Sequence, residues 1–317
     1  MRSSPRVSVI IPARNAASTI TASVSSALAQ EPVDEVVVAA ADPATRAAVE
    51  RIGDPRVDVV GNPEGTTPAA LNRALRHSSG DIVVRCDAHA VLPPGYVARA
   101  VELLEATGAV NVGGRQVPSG TTLFERAVAM AMVSPVGAGD ARYRLGGEPG
   151  PTDTVYLGVF RRSELEAVGG FDETLERNQD YELNWRLRQK GGVVWFDPEL
   201  AVEYRPRGTP KALWRQYFDY GYWKRIVLRR HPDSLRWRQL AAPSLVVGLG
   251  LSAVLSLFDW RRGIALPAVY VAATAGAGVV DLVRRRDPAA LVEPAALWVM
   301  HLAWGSGFIA GLLSGRR

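Results

Sequence analysis

The chain has 317 residues, 37 Lys plus Arg against 32 Asp plus Glu, and a net charge of +5. Its single cysteine, Cys86, excludes an intrachain disulfide and suits a reducing compartment. Hydropathy excludes a uniformly soluble protein: the chain reads as ordinary globular sequence up to about residue 238, and charges almost vanish from Ala241 onward.

Residues 1–6 are short and polar and residues 7–11 are too brief for an h-region, so no secretory signal peptide is expected here. Val7-Ser8-Val9-Ile10-Ile11, closed by Pro12, predicts a buried first strand. A helix over 18–28 follows, with Ile20, Val24 and Leu28 on one face. Strands over 33–39, 57–60 and 82–84 then alternate with helices over 45–52 and 68–77. This alternation predicts an α/β fold with a mainly parallel sheet covered by helices on both faces. In such sheets ligands bind beyond the carboxyl ends of strands. Asn15, Asp42 and Asp87 all lie just past such ends.

Further on, a helix over 94–106 and a strand over 110–114 lead to a helix over 123–132. The Gly- and Pro-rich stretch 135–151 reads as a loop over the site. A strand over 154–160, a helix over 162–168, the turn Gly169-Gly170-Phe171-Asp172, a helix over 179–190 and a strand over 193–196 complete this part.

Asp87-Ala88-His89 carries two metal-ligating side chains one residue apart. In a strand, residues i and i+2 share a side, so both reach one ion if the extended geometry continues. A carboxylate with an imidazole suits a first-row divalent metal such as Mn²⁺. The competing reading is a turn whose Asp caps and whose His meets solvent. Asp42, before Pro43, reads equally as a turn initiator, and Asp180 as a helix cap.

Residues 209–230 predict an amphipathic helix in which Trp214, Tyr217, Phe218, Tyr220, Tyr222 and Trp223 interleave with arginines. That pattern suits the headgroup region of a membrane, with a buried helix as the alternative. Apolar stretches over 240–258, 264–280 and 289–313 follow, and the middle one is marginal unless it reaches Val283. Arginine clusters at 205–238 and 284–286 place both flanks on the inner side, with three spans or a hairpin of the first two. Nucleic acid is the weaker partner, because the basic residues flank spans rather than a site. The expected organisation is a catalytic domain over 1–208, an interfacial helix region over 209–238 and two to three transmembrane helices over 239–317.

In their order, Val7 to Asn15, the aspartate after the second strand, Cys86-Asp87-Ala88-His89-Ala90, Gly169-Gly170-Phe171-Asp172 and Gln179-Asp180-Tyr181-Glu182-Leu183 resemble family 2 inverting glycosyltransferases of GT-A fold. With Tyr156-Leu157-Gly158-Val159-Phe160 and Arg215-Gln216-Tyr217-Phe218, the likeness is to the succinoglycan-biosynthesis type, which builds exopolysaccharide on lipid carriers. The resemblance covers about residues 5–225. It implies a Rossmann-like sheet flanked by helices, and sugar transfer from a nucleotide diphosphate donor to a lipid-linked saccharide with Mn²⁺ or Mg²⁺. It further implies donor contacts at Pro12, Arg14, Asn15, Asp42, Asn72 and Asp87, with Asp42 on the base edge. Metal ligation falls to Asp87 and His89, the latter where the family usually has aspartate. Asp180 is the implied general base, and Arg142, Arg144, Gln216 and Trp223 the implied acceptor or diphosphate contacts. The implied setting is the inner face of the cytoplasmic membrane, within a polysaccharide assembly complex. Two rivals are a polyprenyl-phosphate sugar synthase and a non-catalytic sugar-nucleotide-binding subunit.

Overall fold

The computed structural model describes residues 5–314. The chain divides into two compact units, one running to Val117 and resuming over Gly146–Glu203, the other comprising Pro118–Leu145 and the chain from Tyr204 on.

In the first unit, β1 (Val7–Ala13), β2 (Glu35–Ala40), β3 (Val57–Gly61) and β4 (Ile82–Arg85) alternate with α1 (Ile20–Leu28), α2 (Pro43–Glu50) and α3 (Thr67–His77). α4 (Tyr96–Thr107) and β5 (Asn111–Pro118) follow. The second unit inserts α5 (Leu123–Val133), α6 (Pro135–Ala138) and α7 (Arg142–Leu145). β6 (Gly150–Pro151), β7 (Tyr156–Arg161), α8 (Arg162–Ala167), α9 (Gln179–Gln189) and β8 (Val194–Tyr204) then complete the sheet. Its strand order is β3-β2-β1-β4-β7-β5-β8-β6. The first four strands are parallel, with Ile10 opposite Val37 and Val9 opposite Val84, whereas β7 joins β4 antiparallel with Val83 opposite Phe160.

The β-branched runs of β1 and β2 are apolar on both faces because helices cover both sides of a parallel sheet. Alternate residues feed different cores. Val9, Ile11, Val36, Ile82, Val84 and Cys86 pack on one side with Ile20 and Val24 of α1. Ile10, Val37 and Val83 pack on the other with Leu71 and Leu75 of α3, Phe171, and Leu183 and Leu187 of α9. This second face carries Arg85 toward α9.

Sequence and structure differ over 118–151. The expected loop contains two short helices, and 118–145 belongs with the C-terminal helices rather than with a domain ending at 208. The physical cause is the apolar face of α5, whose Val128, Ala131 and Met132 bury against Ala296, Leu297 and Met300.

The second unit continues with α10 (Pro210–Arg230), α11 (Trp237–Ser256), α12 (Trp260–Gly263), α13 (Ala265–Arg285) and α14 (Glu293–Leu313). Three helical segments among the described residues, Trp237–Ser256, Trp260–Arg285 and Glu293–Leu313, are long and apolar enough to cross a membrane. The marginal second stretch thus gains its missing length by running on to Arg285. Leu251, Val254, Val269 and Val283 stand exposed on these helices, and Leu257 and Phe258 in the turn between the first two, as lipid contact requires.

α10 is the headgroup-region helix of the sequence reading, yet one face of it is buried on α14. Leu213 and Tyr217 join the core of α5 and α14. A Cβ on Gly221 would lie 2.1 Å from the Trp304 carbonyl oxygen, and one on Gly307 would lie 2.1 Å from that of Phe218. Small residues at these crossings let the two backbones touch, as in membrane helix pairs. Arg225, buried on the same face, donates to the carbonyl and hydroxyl of Ser314 at the end of α14.

Candidate active site

Past the end of β1, Asn15 adopts left-handed backbone at φ 52°, a conformation asparagine tolerates better than most residues. Its N–H donates to Asp42 Oδ2 at 2.6 Å. Asp42 follows β2 and caps α2, accepting from Thr45 N at 2.9 Å and from the Thr45 hydroxyl at 2.8 Å. The Thr45 N–H foremost, with those of Asn15 and the Thr45 hydroxyl, holds its carboxyl below the usual carboxylate range. Asp42 is therefore a helix cap that also ties two strand ends together. Pro12 lies within β1 opposite Ala39, and exposed Arg14 donates to the Gly65 carbonyl at 3.1 Å.

The extended geometry proposed for Asp87 and His89 does not continue. β4 ends at Arg85, and the Ala90 N–H donates to the Asp87 carbonyl at 2.9 Å, closing a turn over 87–90. Asp87 and His89 thus share a turn rather than one side of a strand, with Asp87 half-buried and His89 exposed. The Ser23 hydroxyl fixes this turn by donating to the same Asp87 carbonyl at 2.9 Å. Cys86 faces the opposite core, where burial pushes its thiol up to about 12 and makes it inert.

Asp180 stands in the first turn of α9, but it is not the cap. Asn178, in left-handed backbone at φ 65°, holds that position. The Asp180 side chain instead pairs with Arg85: one guanidinium nitrogen, Nη1, donates to Asp180 Oδ1, and the other, Nη2, donates to Asp87 Oδ1 at 3.0 Å. The Arg85 side chain is 8% exposed, against 17% for Asp87 and 37% for Asp180. One buried cation therefore links the two acids that the sequence singled out. Sequence reading passed over Arg85, although Val83 and Arg85 show the two-residue period that puts them on one strand face.

Asn72, expected among the donor contacts, hydrogen-bonds within the protein to the 169–172 turn and its flank. Its Oδ1 accepts from Phe171 N at 2.8 Å, and its Nδ2 donates to Phe171 O at 2.7 Å and to Glu173 Oε1 at 2.9 Å. The carboxamide is thus committed to the Gly169-Gly170-Phe171-Asp172 turn. Gly170 is at φ 70°, and a Cβ there would lie 2.6 Å from Asn72 Oδ1, so glycine is required. Glu182 and Arg186 support the turn from α9. Their ion pair is 2.7 Å long, and Arg186 Nη2 donates to the Gly170 carbonyl at 2.8 Å.

Arg142, Arg144, Gln216 and Trp223 belong to the second unit. Arg144 Nη1 donates to the Tyr217 hydroxyl at 2.8 Å, and Gln216 Nε2 donates to the hydroxyls of Tyr204 at 2.8 Å and Tyr220 at 3.0 Å. Trp223 is half-buried, edge-on to Tyr222.

No group of three His, Cys, Asp or Glu side chains able to hold a metal occurs among the described residues. Asp87 and His89 offer a carboxylate and an imidazole in one turn, donor types that first-row divalent ions accept.

The mainly parallel sheet, with Asp42 and Asp87 just past strand ends and Asp180 in the first turn of α9, has the GT-A fold in a chain with three span-length helices. The chain belongs to glycosyl transferase family 2, whose profile matches residues 8–169. It is 33% identical over 277 residues to succinoglycan biosynthesis protein ExoA of Rhizobium meliloti, covering 86% of this chain and 83% of that protein. It is 22% identical over 252 residues to the dolichyl N-acetyl-alpha-D-glucosaminyl phosphate 3-beta-D-2,3-diacetamido-2,3-dideoxy-beta-D-glucuronosyltransferase of Methanococcus voltae, covering 78% of this chain and 75% of that one. In fold it is similar to the mannosyltransferase PcManGT of Pyrobaculum calidifontis, solved with GDP-Man and Mn²⁺. The TM-score is 0.64 at 23% identity, over 99% of this chain and 89% of that one.

Proposed function

We propose that this protein is an inverting hexosyltransferase that moves a sugar from a nucleotide diphosphate donor to a lipid-linked saccharide at the cytoplasmic face of the membrane, in exopolysaccharide or cell-envelope glycan synthesis. The observation that carries this reading is the Asp87–Arg85–Asp180 line at the ends of the parallel strands. The donor binds past β1, β2 and β4, where Arg14, Asn15 and Asp42 border the nucleotide. Asp87 and His89 would hold the divalent ion, Mn²⁺ or Mg²⁺, which when bound would supply charge neutralisation to the departing diphosphate.

Inversion requires one base on the face opposite the leaving diphosphate. Asp180 Oδ2 takes the proton of the acceptor hydroxyl as its oxygen attacks the anomeric carbon and the nucleoside diphosphate departs. Asp180 stands in the first turn of α9 with its Oδ1 paired to Arg85, which leaves Oδ2 to face the acceptor. Arg142, Arg144, Gln216 and Trp223 are the candidate contacts for the acceptor or its phosphates. Support for a lipid-linked acceptor comes from the span-length helices and from a relative whose name specifies a dolichyl sugar phosphate. Succinoglycan biosynthesis in the other relative's name supports a polysaccharide product.

The test is a panel of nucleotide sugars presented to the purified full chain in vesicles with Mn²⁺ or Mg²⁺, read as released nucleoside diphosphate and extended lipid-linked saccharide. Turnover of one donor, lost in Asp180→Asn, is expected. Release from no donor with either ion, or an unimpaired Asp180→Asn, overturns the reading. A sugar placed directly on polyprenyl phosphate would make the protein a carrier-charging synthase instead.

A further inference from the structure

We infer that Arg85 is the positioning residue of this site: it takes one oxygen of each acid and so assigns the other oxygen of each to its task. The inference rests on the proposed roles of Asp87 and Asp180 and goes beyond them. Arg85 is the last residue of β4, on the face that Val83 directs toward α9, and its side chain is 8% exposed. Its two terminal nitrogens reach Oδ1 of Asp180 and Oδ1 of Asp87, and its buried Nε has no hydrogen-bond partner among the described residues. A planar fork fixed in this way has no freedom to follow a single carboxylate; it sets the spacing and the rotamers of both. Oδ2 of Asp180 is left for the acceptor hydroxyl, and Oδ2 of Asp87 for the metal-bound donor.

The charge balance gives the device a second consequence. Two carboxylates and one guanidinium leave a net charge of −1, and His89 adds none when neutral. Arg85 therefore repels a divalent cation from Asp87 while orienting the base. It favours turnover and opposes metal binding, two effects of opposite sign from one side chain. A residue needed only for folding cannot produce that combination.

The experiment compares Arg85→Met and Arg85→Lys in the full-length protein in vesicles. Turnover is followed with the donor identified by the panel, and Mn²⁺ binding to the donor-free protein by the electron paramagnetic resonance of free Mn²⁺. For Arg85→Met, kcat is expected to fall roughly 100-fold, since misplacement of a base by about 1 Å has that effect. Its Mn²⁺ dissociation constant is expected to fall roughly threefold or more with the repelling charge gone. Arg85→Lys keeps the charge but not the fork, so its Mn²⁺ affinity stays at the wild-type level while kcat remains at least tenfold down. Wild-type kcat in Arg85→Met overturns the inference, as does loss of turnover and weaker Mn²⁺ binding together with a lowered unfolding temperature. Asp180→Asn separates the two proposals. If it turns over normally the base assignment has failed, whereas an inactive Asp180→Asn beside a fully active Arg85→Met refutes only the positioning role.

Discussion

Asn72→Ala separates a clamp from a donor contact. The substitution removes three hydrogen bonds, two of them to the backbone N–H and C=O of Phe171, a residue 2% exposed. A buried backbone group left without a partner costs about 1–3 kcal/mol, so the pair amounts to about 2–6 kcal/mol. For a unit of this size each kcal/mol moves the unfolding midpoint by roughly 2–4 °C, giving an expected drop of about 4–24 °C. Thermal unfolding of the sheet unit, followed by near-ultraviolet circular dichroism of the full chain in detergent, measures this. Donor KM determined well below the transition should stay within about twofold of wild type, because ground-state contacts to the donor are untouched. An unaltered midpoint combined with a tenfold rise in donor KM would refute the clamp and return Asn72 to the donor site.

Four further outcomes follow from the same geometry. Asp180→Asn should lower kcat by about 10²–10⁴ while nucleoside diphosphate binding by calorimetry persists, as loss of a general base alone requires. His89→Asp should keep activity and shift metal preference from Mn²⁺ toward Mg²⁺; unchanged metal dependence in both this variant and His89→Ala removes His89 from the site. Glu125 is held at about 2, first by the Thr122 N–H and then by Thr121 and Arg205. Its folded value is below the ordinary ~4.3, so its stabilisation is complete above that pH and is lost as pH falls toward 2. The midpoint difference between wild type and Glu125→Gln should therefore be full at pH 6 and shrink by pH 3, and a constant difference would contradict it. Finally, Gly307→Leu forces a side chain into the Phe218 carbonyl and should lower the unfolding midpoint. Gly276→Leu, where a Cβ meets nothing within 4 Å, should leave it unchanged.

Much of the candidate site's placement was legible because it sits at strand ends. Asn15, Asp42 and Asp87 follow apolar runs whose length fixes where each strand stops, and the parallel register then brings their ends together. Asp180 was legible from its place at the start of a strongly polar helix. His89 was misplaced because the two-residue period was carried past Arg85, where the chain closes a turn instead. Asn72 and Gly170 lie about a hundred residues apart, so their contact has no local signature. Arg85 was hidden by composition: among 34 arginines, one at the end of a strand looks like any other.

The sequence by itself determined the α/β alternation, the change to span-length apolar helices after residue 238, and the ordered motifs that mark family 2. Those are properties of periodicity, strand length and hydropathy, which act over a few residues at a time. Only the tertiary structure decided that 118–145 belongs with the C-terminal helices, that α10 lies on α14 through Gly221 and Gly307, and that Arg85 spans Asp87 and Asp180. Each depends on which surfaces meet, because side-chain burial and charge pairing are set by neighbours distant in the chain.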